Sequence, residues 1–250
     1  MIRAFAALTL FFVAAGCSTP RQFMTVNDYA DAEGRVAVGE IAYVQSEDGE
    51  NLRHGTLRSW YPSGQLQAIV KYDQGIADGR WLQWHKNGVL SAEGLYSHGV
   101  RDETWTEWHN TGERKAECNY FNGRLHGPFA TWSAGGQQLL MATYERDEPA
   151  GWWIAWWPNG AKRLDGRFLH GKPHGRWTAY HPNGQKAGEG SYKDGMRSGL
   201  WVLWEPDGSI LAKGRFRDDR PMGFMEVAKS VDDTRSPDDL FNFEFQVQQR

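Results

Sequence analysis

Apolar and polar positions alternate along most of this chain, and glycine interrupts the alternation at regular intervals. In GRWLQWHKNGVLSAEGLY, residues 79–96, two aromatic-rich runs flank His85-Lys86-Asn87-Gly88. Period-two alternation bounded by turn residues predicts a β-hairpin. The pattern recurs. Gly64, Gly88, Gly112, Gly136, Gly160, Gly184 and Gly208 stand 24 residues apart, without insertion or deletion. A second series, Gly55, Gly79, Gly127, Gly151, Gly175, Gly199 and Gly223, keeps the same period, with Glu103 as its lapse. Seven units of 24 residues fill residues 49–216, and 217–227 add half a unit, so 49–227 read as one repeat domain.

Within each unit, the first glycine series predicts a type I turn closed by a left-handed residue, which forms a bulge. Pro62, Pro158, Pro182 and Pro206 stand where that turn needs a fixed negative φ, usually followed by Asn or Asp. A turn of this kind pairs His85 with Val89, Trp84 with Leu90, Leu82 with Ala92 and Trp81 with Glu93. Alternation then puts Leu82, Trp84, Leu90, Ala92 and Tyr96 on one face, expected to be the packed one. Trp81, Gln83, Ser91 and Glu93 fall on the other. Successive hairpins joined through segments such as Ser97–Glu103 build an elongated antiparallel meander of stacked β-hairpins, an all-β fold on the order of 65 Å long before twist.

Composition sharpens this picture. The chain has 13 Trp and 29 Gly in 250 residues, so aromatic packing and tight turns dominate. Three ladders keep the 24-residue period: Trp60 through Trp204, with Tyr180 as its one Tyr; Trp81, Trp105, Phe129, Trp153, Trp177 and Trp201; and Tyr72 through Phe216. Only Trp152 and Trp157 lie off them. Net charge is -3, and no Lys/Arg cluster is dense enough to neutralise a run of phosphates, which argues against a nucleic-acid partner.

The ends differ from the repeat. Residues 1–16 carry one basic residue, Arg3, and an apolar run from Ala4 to Val13, the layout of a secretory signal and too short for a permanent membrane span. Ala14-Ala15-Gly16-Cys17 resembles the lipobox of bacterial lipoproteins, with Ala14 where that family usually has Leu. The resemblance implies lipidation at Cys17, and Ser18 after it implies the outer membrane; an ordinary cleaved signal peptide is the alternative. Residues 17–33 then form a tether and 34–48 a capping strand. With Cys17 lipidated, Cys118 is the other of two cysteines and no intramolecular disulfide is possible. Cys118 occupies the position of Val70, Gly94, Ala142, Gly166, Gly190 and Gly214, which marks it as a small packing residue. The 228–250 segment is polar, then alternates Phe241, Phe243, Phe245 and Val247: either a strand capping the sheet edge or a docking strand for a partner.

The unit D-G-x-x-x-G-x-W-x-x-W-x-x-N-G followed by Tyr resembles the bacterial variant of the MORN repeat over about two-thirds of the chain. That family implies stacked β-hairpins and, in most members, a protein-interaction or membrane-associated scaffold. Some bacterial relatives are named as antitoxins, which implies binding of a partner protein as a further possibility.

No catalytic constellation is expected. The eight His follow the repeat register, so equivalent ones fall two strands, roughly 10 Å, apart, too far to share a metal. His170 and His174 share a loop. Asp73, Glu93, Glu117, Asp165 and Glu189 are dispersed, and there is neither a nucleophile elbow nor a phosphate-binding loop. The expectation is a chain without enzymatic activity, cofactor or metal, anchored in the cell envelope and binding an unidentified protein through its repeated surface. The alternative is a glycan or peptidoglycan stacked on Trp81, Trp105, Phe129, Trp153, Trp177 and Trp201; the same ladder could instead serve sheet packing.

Overall fold

The computed structural model describes residues 9–11, 23–28, 39–223 and 225–228, with side chains from Tyr43 onward. Cys17, most of the expected tether and the segment from residue 229 lie outside the described residues. Every regular element described is a strand. The chain forms two compact units, residues 1–126 with 134–136 and residues 127–133 with 137–250.

The first unit is an antiparallel meander in which each strand pairs with the next in sequence. Its strands are β1 (Thr9–Phe11), β2 (Phe23–Asp28), β3 (Gly39–Gln45), β4 (Asn51–Trp60), β5 (Leu66–Asp73), β6 (Ile76–Trp84), β7 (Leu90–Ser97), β8 (Val100–Trp108) and β9 (Arg114–Phe121). Most residues of β10 (Arg124–Trp132) belong to the second unit. It continues with β11 (Gln138–Glu145), β12 (Glu148–Pro149), β13 (Gly151–Trp156), β14 (Lys162–Leu169), β15 (Lys172–Tyr180), β16 (Lys186–Lys193), β17 (Met196–Trp204), β18 (Ile210–Arg217), β19 (Arg220–Pro221) and β20 (Glu226–Val227). β12 with β13 occupies one strand position against β11, as β19 with β20 does against β18.

Each hairpin turn closes the way its sequence dictates. His181 N donates to Gln185 O at 2.8 Å and Gly184 N to His181 O at 2.9 Å, and Gly184 has φ +85°. That is a type I turn with a left-handed glycine. The opposite edge uses a second device. Pairs such as His98-Gly99 and Asp194-Gly195 both take positive φ, the type I′ geometry that matches the twist of a two-residue hairpin.

Turns also bond to their neighbours. Asn87 Nδ2 donates to Asn110 O, Asn159 Nδ2 to Pro182 O and Asn183 Nδ2 to Pro206 O, at 2.7–2.8 Å. On the other edge Gly75, Gly99 and Gly123 donate their backbone N–H to Arg53 O, Ala77 O and Arg101 O. These bonds fasten neighbouring hairpins to one another at both ends of the strands. Asn183→Ala removes the bond to Pro206 and the one its Oδ1 accepts from Gln185 N. It should cost about 1 kcal/mol in urea unfolding, since both bonds are exposed.

The faces are inverted relative to the sequence-based expectation. Trp84 does pair with Leu90, but a register shift follows, so Gln83 pairs with Ala92, Leu82 with Glu93 and Trp81 with Gly94. Ser91 is an extra residue on the returning strand. Because side chains alternate with period two, one bulge residue moves every later partner to the opposite face. Trp81, Ala92, Gly94 and Tyr96 therefore share the front, packed face, and Arg80, Leu82, Trp84 and Glu93 the back.

Candidate functional site

The ladder considered as a glycan platform is the spine of the sheet. Trp105, Trp153, Trp177 and Trp201 are 2–5% exposed, while Trp81 and Phe129 are half-buried. In the first unit the rings run Trp81–Tyr96–Trp105–Tyr120 with centroids 5.0–6.4 Å apart. In the second, Phe129, Tyr144, Trp153, Phe168, Trp177, Tyr192 and Trp201 follow one another at 5.0–6.2 Å, edge to face throughout. Such pairs contribute roughly 0.5–1.5 kcal/mol each beyond burial. Burial also pushes the Tyr192 hydroxyl far above its ordinary pKa. A ring packed edge-on between two neighbours has no free face for a sugar.

Glycine makes the spine possible. A Cβ built on Gly94, Gly166 or Gly190 would lie 2.0–2.1 Å from Cδ2 of Trp105, Trp177 or Trp201. These glycines are not left-handed; each is the bare patch of backbone on which the next unit's indole lies. Trp105 Nε1 then donates to Leu95 O, Trp177 Nε1 to Arg167 O and Trp201 Nε1 to Ser191 O, at 3.0–3.2 Å. Cys118 stands in the same ladder, its Sγ 3.8 Å from Trp105 O, and burial pushes its thiol pKa up. That is the environment of a packing residue rather than of an activated nucleophile.

Several histidines and carboxylates have structural partners. His85 and His181 donate from Nε2 to Trp108 O and Trp204 O at 2.9 and 2.8 Å. Trp157 fills the same turn position and donates to Tyr180 O at 2.9 Å, which explains one Trp off the ladders. His170 lies in a type I′ turn, and His174 pairs with Arg167. Among the described residues, no three His, Cys, Asp or Glu side chains gather as a metal site. Asp73, Glu93, Glu117, Asp165 and Glu189 each face a cationic or imidazole partner: His54, Arg80, Arg114, Lys162 and the pair Arg176 and Lys186. Burial pushes Glu189 up, but its bonds to Arg176 and Lys186 outweigh that and hold it below the usual carboxylate range.

Among the described residues, a groove of about 620 Å³ opens on the front of the first unit. Trp81, Tyr96 and Trp105 form its floor, and Gln83, His85, Glu107, His109, Asn110 and Lys115 line its sides. It exists because the cross-strand row Ser59–Ala68–Gln83–Ala92–Glu107–Ala116 alternates polar with small residues. The alanines leave space and the polar residues line it. Lys115 Nζ meets Glu107 Oε2 at 3.0 Å, and Arg101 lies 4.4 Å from the Trp105 ring centroid. Sequence reasoning missed this site, because the uncounted bulge put Gln83 and Ala92 on different faces.

No curated protein matches the chain. The family model of the MORN repeat variant matches residues 53–74, 77–98 and 173–194. Each match spans one hairpin: β4 with β5, β6 with β7, and β15 with β16. At these three positions the chain carries MORN repeat variants, and the units between them keep the same 24-residue register.

Proposed function

We propose that this chain is a non-enzymatic, lipid-anchored scaffold of the bacterial cell envelope, and that it binds a protein partner through the front groove of its first unit. The groove carries the reading. It is a concave surface of ligand-site size, with an aromatic floor and a rim bearing both charge signs. Among its polar groups, Glu107 pairs with Lys115 at 3.0 Å. The MORN-type repeats favour protein-binding or membrane-associated roles. The lipobox-like sequence ending at Cys17 supports attachment to the membrane, with the outer membrane as the destination that Ser18 favours. Two or more acyl chains would hold the chain firmly, at roughly 0.8 kcal/mol per buried methylene.

A Cys17→Ala variant expressed in bacterial cells should leave the membrane fraction. Partition unchanged from the parent would refute the anchor. Glycan binding survives as a second reading only in the same groove, where Trp81 keeps part of its ring surface and planar polar side chains surround it. Titration with muropeptides monitored by Trp fluorescence separates the two: an unchanged signal removes the glycan reading, and a saturating change lost in Gln83→Ala supports it.

A further inference from the structure

Each unit carries an arginine on its front face, and the two differ in what neutralises it. Arg101 and Arg197 stand four repeats apart at the same register position. Arg101 pairs with Tyr96 and Arg197 with Tyr192 across the hairpin, which puts both side chains on the face of the aromatic spine. Arg101 lies 4.4 Å from the Trp105 ring centroid and Arg197 4.3 Å from that of Phe216. In the second unit the chain supplies its own carboxylate. Asp219 Oδ1 accepts from Arg197 N at 2.7 Å and from Arg197 Nε at 3.1 Å, and the Arg197 side chain is 12% exposed. The residue at the place of Asp219 in the first unit is Gly123. The backbone there is alike: Gly123 N donates to Arg101 O at 2.8 Å, as Asp219 N does to Arg197 O at 3.2 Å, and both residues have positive φ. The carboxylate is what differs.

Arg101 has neutral acceptors instead. Its Nη1 donates to the Tyr120 hydroxyl at 3.0 Å, and the Tyr96 hydroxyl is a second acceptor. Among the described residues no carboxylate pairs with it. Two hydroxyls leave most of a guanidinium's five N–H donors for other acceptors. Arg101 also lines the groove. Of the other charged side chains there, Glu107 is taken by Lys115 at 3.0 Å, so the guanidinium is the unopposed charge of that surface.

We infer that Arg101 anchors a carboxylate side chain of the partner protein, supplied from outside as Asp219 supplies one from within to Arg197. The element recognised is an acidic segment with an Asp or Glu beside an apolar residue. The carboxylate bonds to the guanidinium fork, and the apolar neighbour lies on Trp81 and Tyr96 of the groove floor. An unopposed cation in an aromatic setting favours such a partner over a neutral or basic one. This assignment rests on the groove being the binding surface, and adds what that surface recognises.

Titration of the isotope-labelled full chain with two capped dipeptides, acetyl-Asp-Phe-amide and acetyl-Asn-Phe-amide, tests it, with the indole N–H signals of Trp81 and Trp105 followed by NMR. Saturable shifts are expected with the aspartyl probe. Binding should be at least about tenfold weaker with the asparaginyl probe, and as weak for the aspartyl probe in Arg101→Gln, because a charge-assisted bond is lost. A Gly123→Asp, Val100→Met variant copies Asp219 and Met196 of the second unit, and the second change relieves the 3.0 Å approach of Val100 Cβ to the new carbon. It should unfold no earlier than the parent on heating and should no longer bind the aspartyl probe. Equal response to both probes would overturn the carboxylate assignment and leave the groove as an apolar binding surface. So would parent-like affinity in Arg101→Gln, or tighter binding of acetyl-phenylalanine, which would assign the guanidinium to a chain terminus. No shift with any probe would overturn it too, while the scaffold proposal would still be decided by recovery of a partner from cells.

Discussion

A Trp177→Ala variant is expected to lose about 3–5 kcal/mol of stability, the range for removing a large aromatic from a packed interior. Trp177 is 2% exposed, with Phe168 at 5.1 Å and Tyr192 at 6.2 Å edge to face. Its deletion strands the Arg167 carbonyl and opens a gap over Gly166. Urea unfolding followed by far-UV circular dichroism measures the loss. Were the ladder a solvent-facing platform, the same change would cost no more than about 0.5 kcal/mol, as surface substitutions do. The two accounts therefore differ by several kcal/mol at one residue. The loss should also concentrate in the second unit, because repeat units exchange stability mainly with their neighbours.

Gly190→Val is expected to be comparably severe by the opposite route. The first added carbon would sit 2.0 Å from Cδ2 of Trp201, and that ring cannot retreat: Tyr192 holds it at 5.0 Å and its Nε1 is bonded to Ser191 O. Overpacking costs about 1–3 kcal/mol, and more where nothing can shift. Shrinking the ring relieves the clash, so a Gly190→Val, Trp201→Leu pair should be more stable than the sum of its single changes implies. Gly184→Ala is the control. Its φ is +85° with no atom within 4 Å of the new carbon, so it loses only about 1 kcal/mol through backbone strain. Thermal unfolding of the four variants side by side would show whether the two glycine series do different physical work.

Much of this fold is legible in the sequence. The 24-residue period fixed the hairpins, because Gly64 through Gly208 satisfy a turn that needs a positive φ at one position, and the structure is the expected all-β meander. The faces were not legible from alternation alone. Alternation propagates a register faithfully but cannot detect a bulge, and the extra residue at Ser91 reverses every assignment beyond it. A signal was present nonetheless. Gly94, Gly166 and Gly190 recur at strand positions with no turn to make, and a recurrent strand glycine marks the close approach of a neighbour, here the indole of the next unit. The groove was hidden for the same reason. The His were correctly read as following register, though their bonds from turn to turn depend on side-chain reach that spacing does not reveal. Trp152, 55% exposed on the back face, carries the guanidinium of its cross-strand partner Arg167 5.2 Å over its ring.

The most direct test of the scaffold proposal is chemical crosslinking in intact bacterial cells, followed by pull-down of the full chain and of a Gln83→Ala, Glu107→Lys variant. The groove account predicts a discrete envelope protein recovered with the parent chain and lost with the variant, while both fold and fractionate alike. Equal recovery from both, or no protein recovered from either, would contradict it.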